Sequence, residues 1–348
     1  MLSPSLFAKG KPFARYTEVN AALEASLKLS AKPKEANVRN VESSYNGVIN
    51  VDGKPITSFA FWNYCKLIGI PMSFGNRVPI DLLFTNIERM RNERANDSLV
   101  ILTDDKGVVT NIVKGPYKEI AYSDVLGSFA DKPIRYIDLG EELMTIALTF
   151  DELHFDGVGD DDMIYIGTFI YNSILKTVPL HMDSGFYRTS CSNSFIAPYL
   201  GRVRATYKLE PQERLLRFAD VIRCYDEPIY NRLKTRFSSV FTQRKMFEHE
   251  IANLWKKVSS VLDISESDIL LKYSEEDRKL LLARTTNWAR ENKRARLLGE
   301  SVKEPTQTDA FAYSVLNDIT SKARDLHGNE KLELEKIAGK WIEQLILV

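Results

Sequence analysis

Apolar residues near the start of the chain recur at helical spacing. Val19, Leu23, Leu27 and Leu29 fall near one face of a helix predicted over Thr17 to Leu29. A Lys-, Pro- and Asn-rich connector follows, from Ser30 to Asn40. Asn46-Gly47 and Asp52-Gly53 are turn signals around Val48 to Val51 and predict a short hairpin. Phe59 to Ile68 predicts a helix ended by Gly69 and Pro71, and Asp81 to Asn92 predicts another. The period then changes to two. Leu99 to Leu102, the turn Asp104 to Gly107, and Val108 to Val113 read as a hairpin. Leu143 to Phe150, Met163 to Ile170 and Phe186 to Cys191 read as further strands, rich in β-branched and aromatic residues. Their connections are short and carry no long helix, which favours antiparallel pairing.

After Pro198 the spacing returns to that of a helix. Leu215, Phe218, Ile222 and Tyr225 share one side of a helix over Pro211 to Tyr225, and Pro228 suits the start of the next. Ile229 to Phe241 and Phe247 to Val258 continue the pattern, and Ser265 or Ser274 would cap later helices. The last two helices are predicted over Thr308 to Leu326 and Glu330 to Leu347, split by His327-Gly328-Asn329. The fold class is therefore α+β: a mostly antiparallel sheet with flanking helices over residues 1–200, then a helical region over 201–348. That second region stands as a domain of its own or packs on the first as one unit.

The 348-residue length and 44% apolar content allow a sizeable core, and a formal net charge of zero rules out a uniformly basic nucleic-acid binder. Cys65, Cys191 and Cys224 lie far apart, which points to a reducing compartment. With no apolar run of membrane-spanning length and no signal-peptide pattern, the expected location is the cytoplasm. The chain has no phosphate-cradling Gly-Lys loop, dinucleotide fingerprint, zinc spacing or nucleophile elbow, so neither a cofactor nor a catalytic residue is assigned.

Local charge is uneven. Arg202 to Lys257 holds thirteen basic and seven acidic residues, including Arg202, Arg204, Lys208 and Arg214. Arg278 to Arg296 holds seven basic residues against Glu291 alone, with Trp288 in the middle. On a helix Arg284, Trp288 and Arg296 fall near one face, and Arg290, Lys293 and Arg294 extend it. Cations that follow phosphates beside a ring that stacks on a base would suit single-stranded DNA. A solvated helix face with a half-buried Trp has the same pattern. Asp138 to Asp162 holds nine acidic residues and no Lys or Arg. Asp151, Glu152, His154, Asp156, Asp160, Asp161 and Asp162 offer hard ligands for a divalent cation, but no calcium-loop order is present and Gly157 and Gly159 are ordinary turn residues. Cys191 beside Arg188 has the makings of an activated thiolate, although a strand Cys is more often core.

Two polar knots close apolar runs in the middle of the chain: Asn172-Ser173, and Cys191-Ser192-Asn193 preceded by Arg188. Other boxes are Leu2 to Ala8, Arg15 to Val19, Gly69 to Phe74, Val109 to Tyr122, and Thr308 to Ala323 with Tyr313 and Asn317. In order and spacing they resemble an uncharacterised family of phage- and plasmid-encoded proteins. Ile174 and Leu175 stand where that family usually has Glu and Gly. The resemblance implies a mobile-element setting and supplies no reaction. With the basic segments, the expected function is a non-enzymatic, phage-encoded protein that binds single-stranded DNA in replication, recombination or annealing, or single-strand-dependent transcription. It would work in the host cytoplasm, as a homo-oligomer or with phage or host replication and transcription proteins. Two other readings stay open: an interaction factor, such as a host-defence inhibitor or transcription accessory, and a metal-dependent enzyme using the acidic loop.

Overall fold

The structure is a computed structural model. It describes residues 2–8, 13–29, 31–115, 117, 119–156, 163–188, 193–197, 202–204, 213, 227–236, 243–262, 275–324, 326 and 328–347. The chain forms two compact units. One comprises Met1–Ile146, Tyr171–Leu180 and Arg204–Asp220; the other comprises Ala147–Ile170, His181–Val203 and Val221–Val348.

In the first unit, strand β1 (Ala14–Tyr16) precedes helix α1 (Val19–Ser26). The connector after α1 is not a loop. Lys32–Asn37 is a strand, β2, antiparallel to β6 (Ser98–Thr103), with Lys32 opposite Thr103. Its composition hid it. Lys32, Pro33, Lys34 and Glu35 are all exposed, and the strand is the edge of a three-stranded sheet, where proline breaks no ladder. The predicted hairpin extends to three short strands, β3 (Ser43–Tyr45), β4 (Ile49–Val51) and β5 (Lys54–Pro55). Gly47 and Gly53 turn their corners at positive φ.

Helix α2 (Ser58–Leu67) starts where the Thr57 hydroxyl accepts the Ala60 amide at 3.2 Å. It buries Ala60, Phe61, Tyr64 and Cys65 against β7 (Val109–Lys114), the strand paired with β6. Burial of Phe61 alone contributes roughly 1.5–3 kcal/mol. Gly69, at φ 93, ends this segment as expected. A single turn, α3 (Met72–Gly75), leads to α4 (Ile80–Glu93), which adds Leu83 and Ile87 to the same core. Two elements had no signal. Helix α5 (Tyr122–Phe129) is only eight residues long and contains Gly127. The other is strand β8 (Ile134–Leu139), which pairs antiparallel with β1, and Arg15 grips Asp138 with two bonds of 2.6 and 2.8 Å.

Strands β9 (Met144–Asp156) and β10 (Met163–Asn172) run longer than expected. Strand β11 (His181–Arg188) begins five residues before the predicted one, because the polar run His181-Met182-Asp183-Ser184 is buried strand and not a spacer. With β12 (Asn193–Ile196) the sheet order is β1-β8-β9-β10-β11-β12, and β13 (Arg202–Arg204) pairs with β11. The antiparallel α+β reading holds.

The C-terminal part is helical but not wholly so. Helix α6 (Glu227–Arg236) carries Pro228 in its first turn. Strand β14 (Lys245–Phe247) precedes α7 (Glu248–Leu262) and α8 (Glu275–Leu298). Gln307–Phe311, predicted in part as helix, is strand β15, paired with β14, and the Thr308 hydroxyl donates to the Met246 carbonyl at 2.7 Å. Helix α9 (Ala312–Arg324) therefore starts four residues after Thr308, and α10 (Gly328–Leu347) follows. Apart from Glu213, the helix expected over Pro211 to Tyr225 lies outside the described residues, as do Ser265 and Ser274.

Helix α10 lies on β12 at backbone distance. A Cβ on Gly339 would stand 1.9 Å from the Ile196 carbonyl oxygen. Gly339→Ala should lower the urea unfolding free energy by about 1–3 kcal/mol, because neither backbone yields cheaply. Gly127→Ala in α5, where a Cβ meets nothing within 4 Å, should instead raise it by about 0.5–1 kcal/mol.

Candidate functional site

Helix α8 has two unlike faces. Asn292 and Ala295 are buried and Trp288 is half-buried, all on one side. The Trp288 indole donates to the Lys303 carbonyl at 3.1 Å, and its ring stacks on His249 at 4.6 Å and 21°. His249 stacks in turn on Phe247 at 5.8 Å. Asn292 holds Lys303 by accepting its amide at 2.9 Å and donating to its carbonyl at 3.1 Å. Trp288 is thus a packing residue that ties the segment after α8 to the helix.

Arg290, Lys293 and Arg294 are exposed and point the other way, roughly 120–160° around the helix from Trp288. The expected interleaving of ring and cations is therefore not found. No ion pair involves Arg290, Lys293, Arg294 or the exposed Arg296 among the described residues. Arg284 differs, lying 3.5 Å from Glu248. The only acid within Arg278 to Arg296, Glu291, is paired with Lys303 at 2.5 Å and does not offset the cationic ridge.

Arg202 is committed elsewhere. It forms a two-pronged pair with Asp183: Nη2 donates to one carboxylate oxygen at 2.9 Å and Nε to the other. Asp183 is completely buried, and His181 Nε2 lies 3.5 Å away. Burial pushes the Asp183 carboxyl up, but hydrogen bonds from His181 and Arg202 outweigh it and hold its pKa below the usual range. Lys336, on α10, senses the same charges, and burial pushes its ammonium pKa down. Of the other predicted contacts, Arg204 is described as strand backbone only, and Lys208 and Arg214 lie outside the described residues.

The boxes of the family resemblance pair off with one another. Asn172 donates to the Ile120 carbonyl at 2.8 Å, and Ser173 to that of Glu142 at 2.6 Å. Thr177 donates to Ser173 and Glu142, Tyr117 to the Ile174 carbonyl at 2.5 Å, and Asn111 to the Leu175 carbonyl. The Val109 to Tyr122 box thereby clamps the turn that follows Asn172. Ile174 and Leu175, which depart from the family pattern, are buried in that turn. In the second unit, Arg188 donates to the Asn317 side chain at 3.0 Å and lies 4.8 Å over the Tyr313 ring. Tyr313 and Asn317 are one helical turn apart on α9, so both reach the same guanidinium. Asn193 stands opposite Arg188 in the ladder; Cys191 and Ser192 lie outside the described residues.

Of the acidic segment, Asp160, Asp161 and Asp162 lie outside the described residues, and Asp156 and Glu152 are described as backbone only. His154 Nδ1 is 2.6 Å from the Asp151 carbonyl, within its own strand. Among the described residues no group of three His, Cys, Asp or Glu could hold a metal ion. No helix of the described residues is long and apolar enough to cross a membrane. Comparisons with protein-family models, curated proteins and solved structures give no match to the chain.

Three outcomes follow from this geometry. Arg202→Ala leaves the buried Asp183 uncompensated and should cost about 3–5 kcal/mol of stability in urea titrations. Because the folded Asp183 pKa is depressed, its contribution is present above the ordinary carboxylate range and is lost as pH falls through the folded value. Stability should therefore drop below about pH 4, and Asp183→Asn should flatten that part of the profile. Trp288→Ala should cost about 1–3 kcal/mol, the sum of one hydrogen bond and one ring stack.

Proposed function

We propose that this is a phage-encoded, non-enzymatic protein that binds single-stranded DNA through the outer face of α8. It would act in replication, recombination or annealing, or single-strand-dependent transcription. The observation that carries the reading is the exposed ridge of Arg290, Lys293 and Arg294, which has no ion-pair partner among the described residues. Such a ridge suits a phosphate backbone, whose neutralisation releases counterions. With Trp288 turned to the opposite side and tied to Lys303, the contact rests on charge and not on base stacking. The resemblance of the polar boxes to phage and plasmid proteins supports the mobile-element setting.

The test is fluorescence anisotropy with labelled oligo-dT, oligo-dA and a duplex. Three phosphate contacts should give about a 20-fold loss of affinity between 50 and 200 mM salt. Joint replacement of Arg290, Lys293 and Arg294 by Ala should flatten that dependence while the melting temperature holds. Oligo-dT and oligo-dA should bind alike. Affinity that ignores salt, or survives the triple substitution, rules the reading out. Tighter binding to the duplex would reassign the ligand to double-stranded DNA.

A further inference from the structure

Beyond the nucleic-acid reading, the first unit carries a groove of different chemistry. It lies between α4 and the β3–β4 hairpin and encloses about 480 Å³. One face of α4 forms a wall with Asp81, Phe84, Glu88 and Arg91, at helical spacing over about 15 Å. The hairpin side contributes Glu42 and Tyr45. Tyr45 is 43% exposed, and its ring lies 6.3 Å from that of Phe84 with 28° between their planes. Two aromatic faces are thus held side by side in the opening.

The charges do not cancel. Glu42, Asp81 and Glu88 are exposed and have no ion pair among the described residues. Arg91 is half-buried and turned to the wall, its Nη1 donating to the Val41 carbonyl at 3.4 Å, and it acts electrostatically on the buried Tyr64 hydroxyl. Three outward carboxylates therefore surround an aromatic pair, with the one cation drawn inward. Carboxylates repel phosphate, so this surface is unsuited to DNA. A guanidinium or ammonium group gains from both elements at once, ion pairing at the rim and attraction to the ring faces. A groove of this length takes about four or five residues of extended peptide.

We propose that this groove is a docking site for a basic segment of another protein, which lays an arginine or lysine side chain against the Tyr45 and Phe84 rings and pairs it with Glu88, Asp81 or Glu42. Flat aromatic walls favour arginine, whose planar guanidinium stacks as well as pairs.

The full-length protein would be titrated into a fluorescein-labelled Gly-Ser peptide carrying two arginines, and into the same peptide with citrulline at both positions. The arginine peptide should bind at least tenfold more tightly. Asp81→Asn with Glu88→Gln should weaken it at least tenfold, and Tyr45→Ala about threefold to fivefold. All three side chains are exposed, so circular dichroism melts of the variants should match the parent protein. Oligo-dT affinity should be unchanged, which separates failure of this proposal from failure of the nucleic-acid reading. Hydrogen exchange should slow in segments 42–45 and 81–91 on adding the arginine peptide. Equal binding of the two peptides, or variants that bind as the parent does, would overturn the proposal. So would self-association of the protein alone that Glu88→Lys abolishes, since the groove's occupant would then be a second copy of the chain.

Discussion

Asp183 is the constraint on which the second unit is built. A carboxylate with no solvent exposure costs several kcal/mol unless charge and hydrogen bonds are supplied where it sits. Arg202 supplies both through its two-pronged contact, and His181 lies two residues away on the same strand and on the same face. That requirement fixes β13 beside β11, because the arginine must arrive from the neighbouring strand. It also shapes what covers the sheet. Helix α10 contributes Lys336, whose depressed pKa reflects the same confined space, and approaches β12 closely only because residue 339 has no side chain.

The two hairpins and most helices of the first unit could be read from the chain because their signals are local. Gly69 ends the α2 segment, and Gly47 and Gly53 mark the hairpin corners. What escaped depends on distant partners. Strand β2 is polar because it is an edge, and its pairing with β6 is invisible to any short window. The run His181 to Ser184 lies outside the predicted strand because the partner of its buried Asp183, Arg202, is nineteen residues away. Strand β15 was taken for the start of a helix because its partner, β14, lies more than sixty residues earlier.

Among the predicted site residues the same distinction holds. Helical periodicity put the cations of α8 on a face shared with Trp288, whereas the exposed Arg290, Lys293 and Arg294 lie on the side away from the ring. It could not say which side Trp288 would take, since that depends on Lys303 and His249, which belong to other segments. The polar boxes illustrate the reverse case. Asn172, Ser173 and Arg188 stood out as chemistry, yet Asn172 and Ser173 donate to the backbone carbonyls of Ile120 and Glu142, and Arg188 donates to the Asn317 side chain. Their spacing in the chain records contacts that hold turns and helices in place. The groove beside α4 had no signal, because Glu42 and Tyr45 reach it from β3 and the residue before it while Asp81 and Glu88 reach it from a helix.

The edge position of β2 also sets an order of assembly. Strands β6 and β7 are joined by a tight turn and can pair as soon as they are made. Lys32 meets Thr103 only across a separation of 71 residues, so loop-closure entropy delays β2 until the intervening helices have condensed. During that interval the outer side of β6, with Leu99, Ile101 and their open backbone groups, is a template for any passing strand. The exposed lysines and the proline of β2 then close that template with a surface that discourages further pairing, so a chain slow to add β2 is the one prone to aggregate during synthesis.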